Sequence, residues 1–143
     1  MYGRDVVFYA SLHGSPERAF PYFLGYGDKK GSGRGLGWNH NVELEKGCSD
    51  RQYLDLLAGV LQVVAQKDVV GAVISLGVDT YENDPISDLA LTKGAYHAMG
   101  RLLAGLSVPT VVVQEGGYDQ AELGTNVRSF LRGIANDDSQ VSL

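Results

Sequence analysis

The sequence predicts an α/β domain of three layers, a parallel sheet flanked by helices. Three observations predict it. From residue 49 onward the pattern runs helix, strand, helix, strand, helix, and such alternation implies right-handed βαβ crossovers. The strand-like segments are unbroken apolar runs rich in β-branched residues, the pattern of strands buried on both faces. The 143 residues are 44% hydrophobic and 20% charged, enough for a packed core and too little charge for disorder.

Taken in order, Asp5–Ser11 is the first strand-like run. Residues 12–41 form a long glycine-rich stretch without periodicity, in which six of the thirteen residues from Gly25 to Gly37 are glycine. Such a stretch inside a compact domain indicates a functional loop or a missing partner surface. Within it Gly31-Ser32-Gly33-Arg34-Gly35 superficially suggests a phosphate cradle. It lacks the strand before, the helix after and the Gly-Lys-Ser/Thr that such cradles need, so a mobile loop stands beside that reading. Asn41–Leu44 is a short strand candidate.

Tyr53, Leu56, Leu57, Val60, Leu61 and Val64 fall on one helical face, opened by Ser49 with Gln52 three residues on, a capping-box pattern. Val69–Leu76 reads as a strand. Ala95, Ala98, Met99, Leu102, Leu103 and Leu106 make a second stripe behind Thr92 as N-cap, outweighing Gly94, Gly100 and Gly105. Val108–Gln114 is the next strand. Leu123, Val127, Phe130, Leu131 and Ile134 mark a third helix opened by Asp119 with Glu122. Residues 136–143 are a polar tail, and 1–143 reads as a single domain.

Twelve Lys and Arg against seventeen Asp and Glu give a net charge of −5, which argues against a nucleic-acid partner. No apolar run approaches the length of a membrane span, and no signal peptide is visible. The single cysteine, Cys48, cannot form an internal disulfide and fits a cytoplasmic, reducing setting.

In open α/β sheets ligands bind beyond the carboxyl ends of the strands. Val69–Leu76 runs into Gly77-Val78-Asp79-Thr80, and Val108–Gln114 runs into Glu115-Gly116-Gly117-Tyr118. If the two strands are neighbours, Asp79 and Tyr118 reach one crevice. A carboxylate there can bind a cation, and a phenol beside two glycines can hydrogen-bond a developing oxyanion. The plainer alternative is that Asp79 caps a turn and Tyr118 packs on the third helix. His13 follows a strand and reads as a histidine hydrogen-bonded at a strand end, though it could share Asp79's sheet edge. His97 is a partly exposed helix residue, and His40 beside Trp38 is a stacking platform or local packing. Cys48 precedes a helix with no base beside it and reads as structural.

The runs Ser75-Leu76-Gly77-Val78-Asp79-Thr80-Tyr81-Glu82-Asn83-Asp84-Pro85-Ile86-Ser87 and Glu115-Gly116-Gly117-Tyr118 resemble C-terminal motifs of the zinc-dependent histone deacetylase superfamily. Ser11-Leu12-His13-Gly14 with Pro16 to Tyr26 is especially similar to its bacterial acetylpolyamine amidohydrolase branch. The likeness extends from about Asp5 to Ile134 and implies a truncated arginase/deacetylase-like fold. It implies that Asp79 matches a zinc-ligating aspartate and Tyr118 the tyrosine that polarises the scissile amide carbonyl. Gly116 and Gly117 match the glycines of that tyrosine's loop, Phe20 an aromatic wall of the substrate tunnel, and Ile86 a position near its mouth. Ser11 and Leu12 match a segment that helps hold a monovalent cation, and Asp84-Pro85 the turn after the metal aspartate.

The same resemblance implies two further zinc ligands in an Asp-x-His motif and a pair of adjacent histidines, all upstream of the segment aligned with Met1. Neither occurs here, since no two of His13, His40 and His97 are adjacent in sequence and none lies in Asp-x-His. A catalytic zinc needs three protein ligands, so stoichiometric zinc is not expected. The chain is therefore expected to be inactive alone, its inherited chemistry the hydrolysis of an acetylated polyamine or acetyl-lysine. The alternatives are a non-catalytic homo-oligomer, most simply a dimer covering exposed apolar surface, or one half of a complemented hydrolase.

Overall fold

The computed structural model describes residues 2–137. Their elements are β1 (Tyr9–Gly14), β2 (Asn39–Leu44), α1 (Asp50–Ala65), β3 (Ala72–Leu76), α2 (Lys93–Ala104), β4 (Thr110–Gln114) and α3 (Leu123–Ile134), with a 3₁₀ turn at Gly33–Gly35. The class is α/β and both strand pairings are parallel. The strands form two separate pairs. β1 lies beside β2 with Tyr9 opposite Asn39, and β3 lies beside β4 with Ala72 opposite Thr110. Of the polar tail at 136–143, residues 138–143 lie outside the described residues.

The helices follow the apolar stripes, except that Leu56 and Leu131, read as stripe residues, are exposed. Leu57 and Val60 of α1, Ala95, Met99 and Leu103 of α2, and Phe130 of α3 are all buried. At the start of α1, the Gln52 Oε1 accepts from the Ser49 amide at 3.0 Å and the Ser49 hydroxyl at 2.8 Å. Thr92 caps α2 by accepting from the Gly94 amide at 3.2 Å. Its own amide and hydroxyl donate to the Asp50 carboxylate at 2.7 and 2.6 Å, binding the start of α2 to the start of α1. Gly100, a weak helix former, is explained by packing: a Cβ there would lie 2.9 Å from the Gly133 Cα and 2.8 Å from the Ile134 amide. The α2 and α3 backbones thus touch, and the close approach buries Phe130 to 1% exposure. Burying a side chain of that size contributes about 1.5–3 kcal/mol.

Several sequence expectations are corrected. The first strand begins at Tyr9 rather than Asp5 and runs to Gly14, because pairing with Asn39–Leu44, not the apolar run alone, sets its span. Strands thereby take both ends of the 12–41 stretch, and β3 and β4 start later than their apolar runs, at Ala72 and Thr110. Asp119 does not cap α3, which starts at Leu123 after Glu122. Its Oδ1 accepts from the Ala121 and Glu122 amides at 3.1 and 3.3 Å and shapes the preceding turn instead. Burial of β3 and β4 on both faces is overturned as well. Ile74, Leu76 and Val112 join the core, but on the other face Val73, Val111 and Val113 are 72%, 59% and 43% exposed. Parallel strands ordinarily have both faces covered, and among the described residues no element covers this one.

Candidate active site

Parallel pairing brings the loops after β3 and β4 to one edge of the sheet. The ladder continues past the strand ends, with the Glu115 amide donating to the Leu76 carbonyl and the Val78 amide to the Gly116 carbonyl, each at 2.9 Å. Asp79 and the Gly116-Gly117 turn are therefore in contact. A Cβ on Gly116 would lie 2.5 Å from Asp79 Oδ2 and 2.6 Å from its Cγ, so the carboxylate rests directly on the glycine. Gly117 has φ +142°, a backbone that side-chain-bearing residues rarely adopt. Gly116 requires glycine for close approach, and Gly117 for its dihedral angle and because a Cβ there would lie 2.5 Å from Val78 Cγ2.

The Asp79 carboxyl is half-buried, and burial raises its pKa above the ordinary carboxylate range. Its own backbone hydrogen bond opposes that shift, while the nearby Asp84 and Glu115 charges add to it. The loop beneath is fixed by Tyr96 of α2, which is fully buried. The Tyr96 hydroxyl donates to the Val78 carbonyl at 3.1 Å and lies 3.0 Å from the Thr80 hydroxyl. Burial, the main cause, pushes the Tyr96 phenol's pKa far up, so it remains a neutral donor.

Tyr118 does not pack away. It is 54% exposed, and no described hydrogen bond engages its hydroxyl. What is fixed is its backbone. The buried Asp84 carboxylate accepts from the Tyr118 amide at 2.6 Å and the Asp119 amide at 3.1 Å, both at Oδ2. Its Oδ1 accepts from the Ile86 amide at 3.1 Å. The motif Asn83-Asp84-Pro85 signals a turn, and the bond to Ile86 satisfies that signal. Nothing local in it reveals the partner 34 residues away. Tyr96 was missed for a related reason: it lies beside the apolar stripe of α2, and a tyrosine there reads as amphipathic.

The remaining predicted residues surround this edge more loosely. Ile86 and Phe20 are 62% and 83% exposed. Phe20 precedes a cis peptide bond to Pro21, and its ring meets Tyr22 edge-on with centroids 6.4 Å apart. Arg18 ties their two segments together, donating to Asp88 at 3.2 Å and to the Leu44 carbonyl at 3.2 Å. Leu12 packs against the core. The Ser11 hydroxyl lies 2.8 Å from His13 Nδ1, and His13 Nε2 bonds the Gly25 carbonyl at 2.9 Å. Both His13 nitrogens are thus occupied at a strand end. His40 has its pKa lowered, mainly by burial and also by Lys30, and buried Cys48 has its thiol pushed up by burial.

Among the described residues, no group of three or more His, Cys, Asp or Glu side chains is arranged to hold a metal ion. Asp79 offers one carboxylate, and the donor set of the described residues does not by itself fit a zinc centre.

Residues 1–134 match the family model described as the histone deacetylase domain, a family that is zinc-dependent in general. The chain is 45% identical over 134 residues to the acetylpolyamine amidohydrolase of Mycoplana ramosa, covering 94% of this chain and 39% of that protein. It is 38% identical over 133 residues to the Burkholderia pseudomallei enzyme of the same name, covering 93% and 39%. A crystal structure of acetylpolyamine aminohydrolase from Burkholderia pseudomallei superposes with a TM-score of 0.91 at 37% identity, over 95% of this chain and 40% of that one. A histone deacetylase homologue from Aquifex aeolicus gives 0.86 at 29% identity, over 99% and 38%. The chain thus spans about two-fifths of the length of these relatives.

Proposed function

The chain belongs to the histone deacetylase family, and on that premise we propose that it supplies one side of an amide-hydrolysing site for acetylated amines. The substrate class is an acetylated polyamine or an acetyl-lysine. The observation that carries the reading is the convergence of Asp79 and the Tyr118 loop at the carboxyl ends of β3 and β4. An exposed phenol with no described partner is free to donate to the substrate's amide oxygen as negative charge grows there, the contact that lowers the barrier to acyl transfer. Phe20 and Ile86, exposed on segments joined through Arg18 and Asp88, offer apolar wall to an alkyl chain. A net charge of −5 suits a cationic amine.

The same chemistry implies what the chain does not do alone. Asp79 is one ligand where a catalytic zinc takes three. Neither His13 nitrogen is free to serve as general base, a role worth about 10²–10⁴-fold. The isolated chain is inactive on this reading and binds no stoichiometric zinc. Hydrolysis requires the upstream part of the family's fold as well. The test is hydrolysis of an acetylated polyamine by this chain alone, and again with the upstream segment of the Burkholderia pseudomallei relative supplied. Activity that requires the segment and is lost in Tyr118→Phe supports the proposal. No activity in the presence of both, with the two parts shown to associate, refutes it. A cytoplasmic setting, read from the unpaired Cys48, belongs to the same proposal.

A second reading rests on the exposed Val73, Val111 and Val113 face. Under it the chain is a non-catalytic module that associates as a twofold dimer across that face. Light scattering at micromolar concentration distinguishes the two, since a monodisperse monomer excludes the dimer.

A further inference from the structure

We propose that Asp84 is a positioning residue for Tyr118, a clamp that fixes where the phenol stands relative to Asp79. The two loops at the sheet edge come from different crossover units, and Tyr118 follows the Gly116-Gly117 turn, which is held at the Gly116 carbonyl by the Val78 amide. Beyond it, Asp119 begins the tight turn into α3, with its carbonyl accepting from the Leu123 amide at 2.8 Å. Tyr118 therefore sits between a turn anchored at Gly116 and the start of α3. The Asp84 carboxylate bonds there, at the Tyr118 amide (2.6 Å) and the Asp119 amide (3.1 Å).

Three features separate this from an ordinary turn carboxylate. Asp84 is only 5% exposed, so its charge is withdrawn from water. No ion pair balances it among the described residues, so three backbone amides from two segments carry that task. Buried charges are retained only where such donors compensate them, and charge-assisted bonds are about twice as strong as neutral ones. Finally, Asp84 lies on the same loop as Asp79, five residues on. The carboxylate that could contact a cation and the phenol that could contact an oxygen are thereby referenced to one short segment. The chain sets that spacing with its own residues, whatever covers the rest of the sheet.

The inference depends on the proposed function only for what the phenol then does, and its test does not depend on activity. Amide hydrogen exchange is followed in the 143-residue chain, with a fluorine label on the Tyr118 ring. The unsubstituted chain is expected to protect the Tyr118 and Asp119 amides although Tyr118 is at the surface. Asp84→Asn, which keeps shape and one carbonyl acceptor, should speed exchange at these two amides by about tenfold relative to Tyr96 and Met99 of α2, and Asp84→Ala by more. The fluorine resonance should move toward its unstructured position in the same order. Val60→Ala, which weakens the α1 core, should leave the ratio and the resonance in place. Free exchange of Tyr118 and Asp119 in the unsubstituted chain, with α2 protected, overturns the clamp whether or not the variants fold. So does an effect of Asp84→Asn spread evenly over the core.

Discussion

Replacing Gly116 with alanine tests whether Asp79 and the Tyr118 loop are in contact. The new Cβ would stand 2.5 Å from Asp79 Oδ2, about 0.9 Å inside ordinary contact at 3.4 Å. The loop cannot simply withdraw, because the Gly116 carbonyl is held by the Val78 amide at 2.9 Å. Overpacking of this kind costs about 1–3 kcal/mol, and the lower entropy of the unfolded alanine chain returns about 0.4–1 kcal/mol. The net expectation is a loss of about 1–2 kcal/mol. At about 4 °C per kcal/mol for a domain of this size, Tm falls by about 4–8 °C. Gly59→Ala is the control: it lies inside α1 and its Cβ would meet nothing within 4 Å. It should stabilise by about 0.5–1 kcal/mol. The decisive comparison is Gly116→Ala in an Asp79→Ala background, where the obstruction is gone and the penalty should shrink by at least about 1 kcal/mol. Thermal unfolding followed by circular dichroism reads all five chains: the parent, the three single variants and the Gly116→Ala/Asp79→Ala double variant. An equal penalty with and without the Asp79 side chain would falsify the contact.

Other outcomes follow from the same geometry. Because burial raises the Asp79 pKa, the folded state holds that proton more tightly than the unfolded one, and stability falls as pH rises from the ordinary carboxylate range through the raised value. Asp79→Asn should therefore raise Tm at neutral pH, with the gain fading as the buffer is taken below that range; a lower Tm at neutral pH contradicts it. Tyr96→Phe removes one of two donors to the Val78 carbonyl, leaving the Tyr81 amide at 3.3 Å, and should cost about 0.5–1.5 kcal/mol in denaturant unfolding. Tyr118→Phe removes an exposed hydroxyl and should stay within about 0.5 kcal/mol of the parent, so any loss of hydrolysis in the complemented enzyme reflects chemistry rather than folding.

The helices were legible because each buries most of an apolar stripe, although Leu56 and Leu131 at the stripe edges stay exposed. The crevice was legible in part, since Asp79 and Tyr118 each follow an apolar run and parallel pairing did bring them to one edge. Strand ends were not, because a run such as Val6–Phe8 is apolar without a strand to pair with, and hydrogen bonds to the neighbouring strand decide where β1 begins. Exposure of Val73 and Val111 was equally hidden: valines suited to a two-sided sheet look the same whether or not this chain covers the second side. Gly100 read as a helix weakness because its reason, contact with the Gly133 backbone, lies on another helix. Asp84 carries a turn signature that conceals a second, long-range role.

The most direct test of the central claim is zinc content and acetyl-amine hydrolysis measured together on the purified chain, with and without the upstream segment of a family relative. One carboxylate and one phenol on this chain predict neither stoichiometric zinc nor turnover alone, and predict both once the segment is present, with turnover abolished by Tyr118→Phe. Stoichiometric zinc and Tyr118-dependent hydrolysis by the chain on its own would contradict the account.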